Sequence, residues 1–416
     1  MIKKIIVSLC LLISLTALAQ EGTSSPYSYY GIGDIKFKGT VENRSMGGIS
    51  VFPDSIHLNL QNPAHFASLK LTTLAVGVTS ASSKAKTESQ DAKSRRTSLD
   101  YFAAAFPVKK LGFSFGAIPF SNVGYKIQTI SNDAVPLYSR YSGIGGVNKV
   151  FAGAGYQLTK KINIGVDFQY NFGTIETDAL RFQSEIQYGT RENNSSSLKG
   201  YNFDFGITYQ TKINPKISFF SSLIFTPESK LNVDNARNLE IVQFLANGSV
   251  SIIERQEIDV QNTTINLPTK IGFGSGFGEA KKWLFGAEVT YLNNAVLTNR
   301  YNDINGATFE DTYRYSLGGY FIPNYNSYSD YYKRIVYRAG LRYENTGLII
   351  QNKSITDFAG TIGLGLPISG TFSNINIGLE VGKRGTIYSN LIEENYINLS
   401  VGVSLSEKWF IKRKYD

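Results

Sequence analysis

From Lys161 to Phe172 the chain reads KINIGVDFQYNF, with Ile162, Ile164, Val166, Phe168, Tyr170 and Phe172 alternating with Asn163, Gly165, Asp167, Gln169 and Asn171. Successive side chains of a strand point to opposite faces, so a period of two predicts a strand with one apolar and one polar face. The rhythm recurs near 69–80, 98–106, 111–119, 148–157, 161–173, 200–210, 216–226, 269–277, 283–292, 312–321, 334–344, 355–366, 374–382 and 395–405, fourteen segments in all. Their apolar faces are rich in aromatics, and the opposite faces carry Gly, Ser, Thr, Asn and scattered charges. This predicts an all-β protein, a transmembrane antiparallel β-barrel with lipid outside and a polar lumen. Most segments have about the 9–11 residues that cross a bilayer at a tilt. After the first twenty residues nothing approaches the run of about 18 apolar residues that a membrane helix needs. A spanning sheet must then close on itself, because lipid satisfies no open edge.

The connections alternate in length. Short ones fall at 107–110, 158–160, 211–215 and 278–282, and long polar ones at 81–97, 122–147, 174–199, 227–268 and 293–311. Short periplasmic turns and long extracellular loops orient the barrel. One joint, 322–333, is expected to be short and is not. Aromatics make up 13% of the chain. Tyr101, Phe120, Tyr156, Tyr209, Tyr291, Phe321 and Trp409 fall at strand ends, where amphipathic rings suit the lipid–water boundary.

Residues 1–20 read as a secretory signal: Lys3 and Lys4, an apolar run from Ile5 to Leu18, and a small-residue cleavage site at Ala17-Leu18-Ala19. The single cysteine, Cys10, lies inside it, so the mature chain has no disulfide framework and no thiol chemistry. The formal net charge is +9. The basic residues fall mostly in short pairs at turns rather than in one stripe, which speaks against nucleic acid and for the headgroups of outer-membrane lipids. Residues 21–68 lack the rhythm and contain both histidines. Their apolar content (Ile32, Ile35, Phe37, Val41, Met46, Ile49, Val51, Phe52) predicts a plug folded into the lumen rather than a disordered arm. Four regions follow: a signal at 1–20, an N-terminal hatch at 21–68, the barrel at 69–405 and a basic periplasmic tail at 406–416.

Three motifs, in order along the mature chain, resemble the FadL-type outer-membrane transporters of hydrophobic compounds. Arg44-Ser45-Met46-Gly47-Gly48 followed by Asn62-Pro63-Ala64 is similar to the family's hatch. Leu111-Gly112-Phe113-Ser114-Phe115-Gly116, leading to Pro119-Phe120, is similar to its third strand. Leu267-Pro268-Thr269-Lys270-Ile271-Gly272-Phe273-Gly274, then Lys282-Trp283 and Gly286-Ala287-Glu288, resembles a family hairpin, with Glu288 where an aspartate is frequent. The resemblance implies a fourteen-stranded barrel in the outer membrane of a Gram-negative bacterium, gated at Gly47, Gly48, Asn62, Pro63 and Ala64. It also implies passive transport of a hydrophobic small molecule, with lateral exit where the third strand kinks. Pro119, with Gly116 and Gly124 around it, suits that kink because proline cannot donate to the ladder. The polar loops and basic tail keep open a second reading, resembling the FadL-like branch that includes the type IX secretion accessory barrel: a non-transporting subunit with partners in an outer-membrane complex.

No enzyme chemistry is evident. Gly272-Phe273-Gly274 and Gly363-Leu364-Gly365 lie inside strands with no following helix, so they are not phosphate cradles. His57 and His65 have no cysteine or spaced carboxylates beside them, and no cofactor or metal is expected. By alternation Asp167, Asp204, Glu288, Arg338, Arg342 and Glu380 face the lumen. They read either as an ion-paired brace between hatch and wall or, for Arg338 and Arg342, as an anchor for a ligand carboxylate.

Overall fold

The computed structural model describes residues 22–409 except 132, 134, 184–185, 246–248, 302–303 and 305. The expected signal and residues 410–416 of the expected tail lie outside the described residues. The strands are β1 (Asp34–Ile35), β2 (Thr72–Lys86), β3 (Asp91–Val108), β4 (Leu111–Ile130), β5 (Leu137–Gln157), β6 (Ile162–Gln183) and β7 (Tyr188–Lys212). Then come β8 (Ser218–Thr226), β9 (Ser229–Phe244), β10 (Val250–Ile258), β11 (Thr263–Leu267), β12 (Lys270–Glu279) and β13 (Trp283–Leu292). Last are β14 (Ala307–Phe309), β15 (Thr312–Phe321), β16 (Val336–Ile350), β17 (Lys353–Pro367), β18 (Asn374–Gly385) and β19 (Glu393–Glu407).

Fourteen of these (β2 to β8, β12, β13 and β15 to β19) form a closed antiparallel wall, sealed where β19 pairs with β2 from Glu393–Lys86 to Glu407–Thr72. The expected barrel is borne out. Alternation does the sorting: Phe168, Tyr170, Phe203, Phe205 and Ile207 are exposed on the outside, while Asp167, Gln169, Asn171, Asn202 and Asp204 are buried within.

Three of the expected loops are corrected. Residues 81–97, 122–147 and 174–199 largely continue the paired strands, with β2 and β3 pairing out to Lys86–Asp91, β4 and β5 to Ile130–Tyr138, and β6 and β7 to Phe182–Gly189. Strands β5, β6 and β7 reach 21, 22 and 25 residues. Hydropathy registers where lipid ends. Backbone pairing continues beyond it, because Ser, Asn and charged side chains suit a sheet wetted on both faces. Much of 227–268 is strand as well. Strands β9 and β11 prolong β8 and β12 across breaks at Pro227 and Pro268, where the ladder lacks an N–H. The joint at 322–335 is long because it holds a 3₁₀ turn, Tyr331–Arg334.

Tyr101 is not a boundary residue. The β2–β3 register shifts between Gly77 and Val78, so that Gly77 faces Tyr101 and Val78 faces Leu99. The extra residue, Asp100, turns Tyr101 inward, where it is 1% exposed. Glycines make the room: a Cβ on Gly77 would lie 2.3 Å from the Tyr101 ring, and one on Gly402 2.6 Å from its hydroxyl.

Candidate functional site

Residues 22–71 pack against inward-facing residues of the wall, at glycines that leave room for them. The helical turn α1 (Val41–Arg44) ends on Ser45 and Met46 before Gly47 and Gly48, whose φ of 68° and 89° suits residues without a Cβ. The backbone there presses on Gly318 and Gly340 of β15 and β16. A Cβ on Gly318 would meet Met46 O at 2.1 Å, and one on Gly340 would meet Gly47 N at 2.2 Å. Further on, Asn62 caps the 3₁₀ helix Pro63–Ser68: its Oδ1 accepts from Ala64 N–H at 2.9 Å. Its Nδ2 donates to Ser222 Oγ at 2.8 Å and to Leu223 O at 3.3 Å. That helix lies in a trench of inward glycines. Cβ atoms on Gly112, Gly155, Gly165 and Gly206 would meet Phe66 O at 1.8 Å, Ala67 N at 2.7 Å, Ala64 N at 2.4 Å and Asn62 Oδ1 at 1.9 Å.

Charge ties segment to wall. Lys38 Nζ lies 2.6 Å from Asp204 and 3.3 Å from Asp167. Gln169 Nε2 donates to both carboxylates at 2.7 Å. Burial disfavours the Lys38 ammonium, but Asp204 and then Asp167 outweigh it and hold its pKa above the ordinary lysine value. Glu288 accepts from Ser50 N–H and Oγ at 2.8 and 2.9 Å. Arg44 pairs with Asp100 at 3.2 Å, and Arg384 with Asp34 at 2.8 Å. Within the wall itself, Arg342 meets Glu380 at 3.0 Å and Asp357 at 3.5 Å. Arg338 donates to Asn376 at 3.0 Å, and Asn376 in turn to Glu42 at 2.8 Å. Both arginines are thus engaged by the protein itself.

The two histidines differ. His65 is buried, its pKa lowered to about 4 by that burial, and its Nε2 donates to Ser50 O at 2.7 Å. His57 sits 2.8 Å from Asp54 and 3.9 Å from Glu42. Burial opposes its charge, but Asp54 and Glu42 prevail and raise its pKa. Among the described residues no group of His, Cys, Asp and Glu is arranged to hold a metal.

Between β3 and β4 the wall is incompletely zipped. Strands β3 and β4 pair only between Phe102–Val108 and Leu111–Ala117. Above Ala117, β4 pairs on its other side with β5, with a register shift between Pro119 and Ser121, while β3 from Asp91 to Tyr101 pairs only with β2. The N-terminal segment lies across this seam. Strand β1 adds to the open β4 edge through Asp34–Asn122 and Ile35–Ser121, and Lys36 N–H donates to Phe120 O at 2.9 Å. Gly124 N–H donates to Ser28 Oγ at 3.2 Å. On the β3 side the hydroxyls of Ser24 and Ser94 are 2.5 Å apart. Beside the seam is a cavity of about 140 Å³, lined by Ile35, Phe37, Ile118, Pro119, Phe120, Ile224 and Leu267 among others. Lys149 also lines it, 5% exposed, with its Nζ 4.2 Å from the Phe120 ring centre. Lys149 shares a buried strand face with Val147 and Phe151, so alternation marks it as inward. Lys38, Glu42 and Arg44 carry no such mark, because the segment that bears them has no rhythm.

A closed fourteen-stranded wall around an inward N-terminal segment defines a transmembrane barrel of the FadL-type fold. The Pseudomonas putida toluene transporter TodX superposes with a TM-score of 0.59 at 15% identity, over 91% of this chain and 100% of its own. The Ralstonia pickettii toluene transporter TbuX gives 0.59 at 12% identity over 89% and 99%. The monoaromatic hydrocarbon channel CymD gives 0.57 at 13% identity over 90% and 99%. At such identities the likeness is one of fold. No curated protein matches the sequence. The family model BamG matches residues 1–416, and the chain belongs to the BamG family.

Proposed function

We propose that this protein is an outer-membrane channel of a Gram-negative bacterium that passes hydrophobic or amphiphilic small molecules passively. The route runs through the cavity beside Lys149 and out sideways between β3 and β4. The observation that carries this reading is the seam: a cavity lined by apolar side chains together with Lys36, Lys38, Lys149, Lys270, Asp204, Glu288 and Arg314 abuts the one stretch, among the described wall pairings, where neighbouring strands separate for half their length. Pro119, Gly116 and Gly124 border that opening. Residues 22–71 act as its hatch, held at Gly47, Gly48, Asn62, Pro63 and Ala64, and the brace through Asp167, Asp204 and Glu288 keeps the hatch seated, while Glu380 is paired within the wall. Arg342 ties wall strands to one another, and Arg338 supports the hatch through Asn376 and Glu42. The structural relatives named as hydrocarbon channels support the reading through fold.

A paired cysteine substitution, Ser24→Cys with Ser94→Cys, tests it, since the only native cysteine lies in the expected signal. Cells expressing the oxidised pair are expected to take up radiolabelled toluene or decanoate several-fold more slowly than after reduction. Equal uptake in both states, at the level of cells without the protein, would sink the channel. A second reading, a non-transporting subunit of a larger outer-membrane complex, draws on the lumen being occupied and ion-paired. It predicts co-purifying outer-membrane proteins in mild detergent, and a lone monomer would end it.

A further inference from the structure

The outer face of the wall carries a charged patch that neither lumen nor seam uses. Backbone register lines up its rows across β18, β19, β2 and β3. Val381, Ile397, Ser82 and Arg95 form one row, and Lys383, Asn395, Lys84 and Lys93 the next. Gly385, Glu393, Lys86 and Asp91 form the last, beside the β2–β3 turn and at the end of the barrel opposite the short turns. One row nearer the membrane are Leu379, Leu399, Ser80 and Thr97. Val381, Ile397, Leu399 and Leu99 are exposed on this outer face. The cations therefore begin where the lipid-facing rows end.

Five cations stand here (Lys84, Lys86, Lys93, Arg95 and Lys383) against three acids, Asp91 and Glu393 on the rows and Glu88 in the adjoining β2–β3 turn. Lys84 pairs with Asp91 at 2.6 Å, and Lys383 with Glu393 at 2.9 Å. Lys86, Lys93 and Arg95 have no ion pair among the described residues, and Arg95 donates only to Ser80 Oγ at 3.2 Å. Same-face neighbours in a sheet are about 5 Å apart across strands and about 7 Å along them, so two or three of these long side chains reach one phosphate together. Their aliphatic stems lie along the apolar rows while the heads stay at headgroup level.

We propose that this cluster on β2, β3 and β18 docks the phosphate groups of an outer-leaflet lipid, whose acyl chains lie on Leu99, Val381, Ile397 and Leu399. The excess of positive charge selects the headgroup, and continuity with the apolar rows selects a lipid over a soluble anion. The site does not depend on passage of any molecule through the seam.

Native mass spectrometry of the full chain in neutral detergent tests this, using lipid A as a diphosphorylated glycolipid and the same lipid stripped of its phosphates. The intact lipid is expected to bind more tightly. Lys86→Gln/Lys93→Gln/Arg95→Gln should weaken it by about tenfold or more while leaving the stripped lipid unaffected. Lys281→Gln/Lys282→Gln/Lys333→Gln, at the opposite end, should bind as the unaltered protein does, and heat-modifiable gel mobility checks that each variant is folded. Equal affinity for the two lipids, or equal loss in both triple variants, overturns the proposal. So does inorganic phosphate that displaces the intact lipid at matching concentration, because the site would then be one for free anions.

Discussion

Lys38 stands between Asp167 and Asp204, and the three form a unit that exists only because the segment reaches the wall. Removing one partner of a buried ion pair costs about 3–5 kcal/mol, since the remaining charge is left without compensation. Lys38→Met is therefore expected to loosen the segment. Deuterium uptake should rise across residues 34–50 while β6 and β7 stay protected, and unchanged uptake would show that the cation holds nothing. His57 behaves differently because it titrates. Its pKa is raised in the folded protein, so its contribution is complete below about pH 6.5, the ordinary imidazole value, and is lost as pH rises through the raised one. Proteolytic nicking of residues 50–70 should accordingly be faster at alkaline than at mildly acidic pH, and His57→Gln should abolish the difference. A wild-type rate independent of pH would remove His57 from the account.

At the scale of elements, the decisive unit is the short pairing of β1 with β4. Two residue pairs and one further backbone bond cover an edge that elsewhere in the wall is covered by a full strand. Substituting Lys36 by Pro deletes the N–H that donates to Phe120 O. With a cysteine at Ile118 as reporter, labelling by a maleimide should quicken several-fold in the Lys36→Pro background. Unaltered labelling would mean that β1 does not guard the seam. The glycine trench is the matching device on the wall: Gly112, Gly155, Gly165 and Gly206 come from four consecutive strands, β4 to β7, and together admit the Pro63–Ser68 helix. Each looks like a weak strand residue in isolation. Their joint meaning appears only once the four strands stand side by side.

At the scale of the whole molecule, every wall strand pairs with two wall neighbours, and the only strand pairing the segment adds among the described residues is that of β1 with β4. The barrel is therefore expected to survive deletion of residues 22–68, retaining heat-modifiable mobility. In planar bilayers it should conduct ions where the intact chain does not, and an unfolded deletion product would show that the plug is needed to build the wall. Much of this architecture was legible beforehand. Alternation located the fourteen strands and the inward side of Asp167, Asp204, Glu288, Arg338, Arg342 and Glu380, because a period of two is a local property of extended backbone. Strand ends were less legible, as 81–97, 122–147 and 174–199 demonstrate, since polarity changes at the membrane surface and hydrogen bonding does not.

Determined by sequence alone, then, were the class of fold, the polar inner face and the family resemblance, all of which follow from side-chain patterns or from motifs read in order. Only the tertiary structure decided which charges meet. Lys38 finds its carboxylates 129 and 166 residues away, and Ser24 lies against Ser94. Only the closed barrel, too, revealed that β3 and β4 part above Ala117 and that Tyr101 turns inward through one extra residue. Such contacts depend on register between distant strands. A shift of one residue reverses every side chain on a strand while leaving its hydrophobic period unchanged.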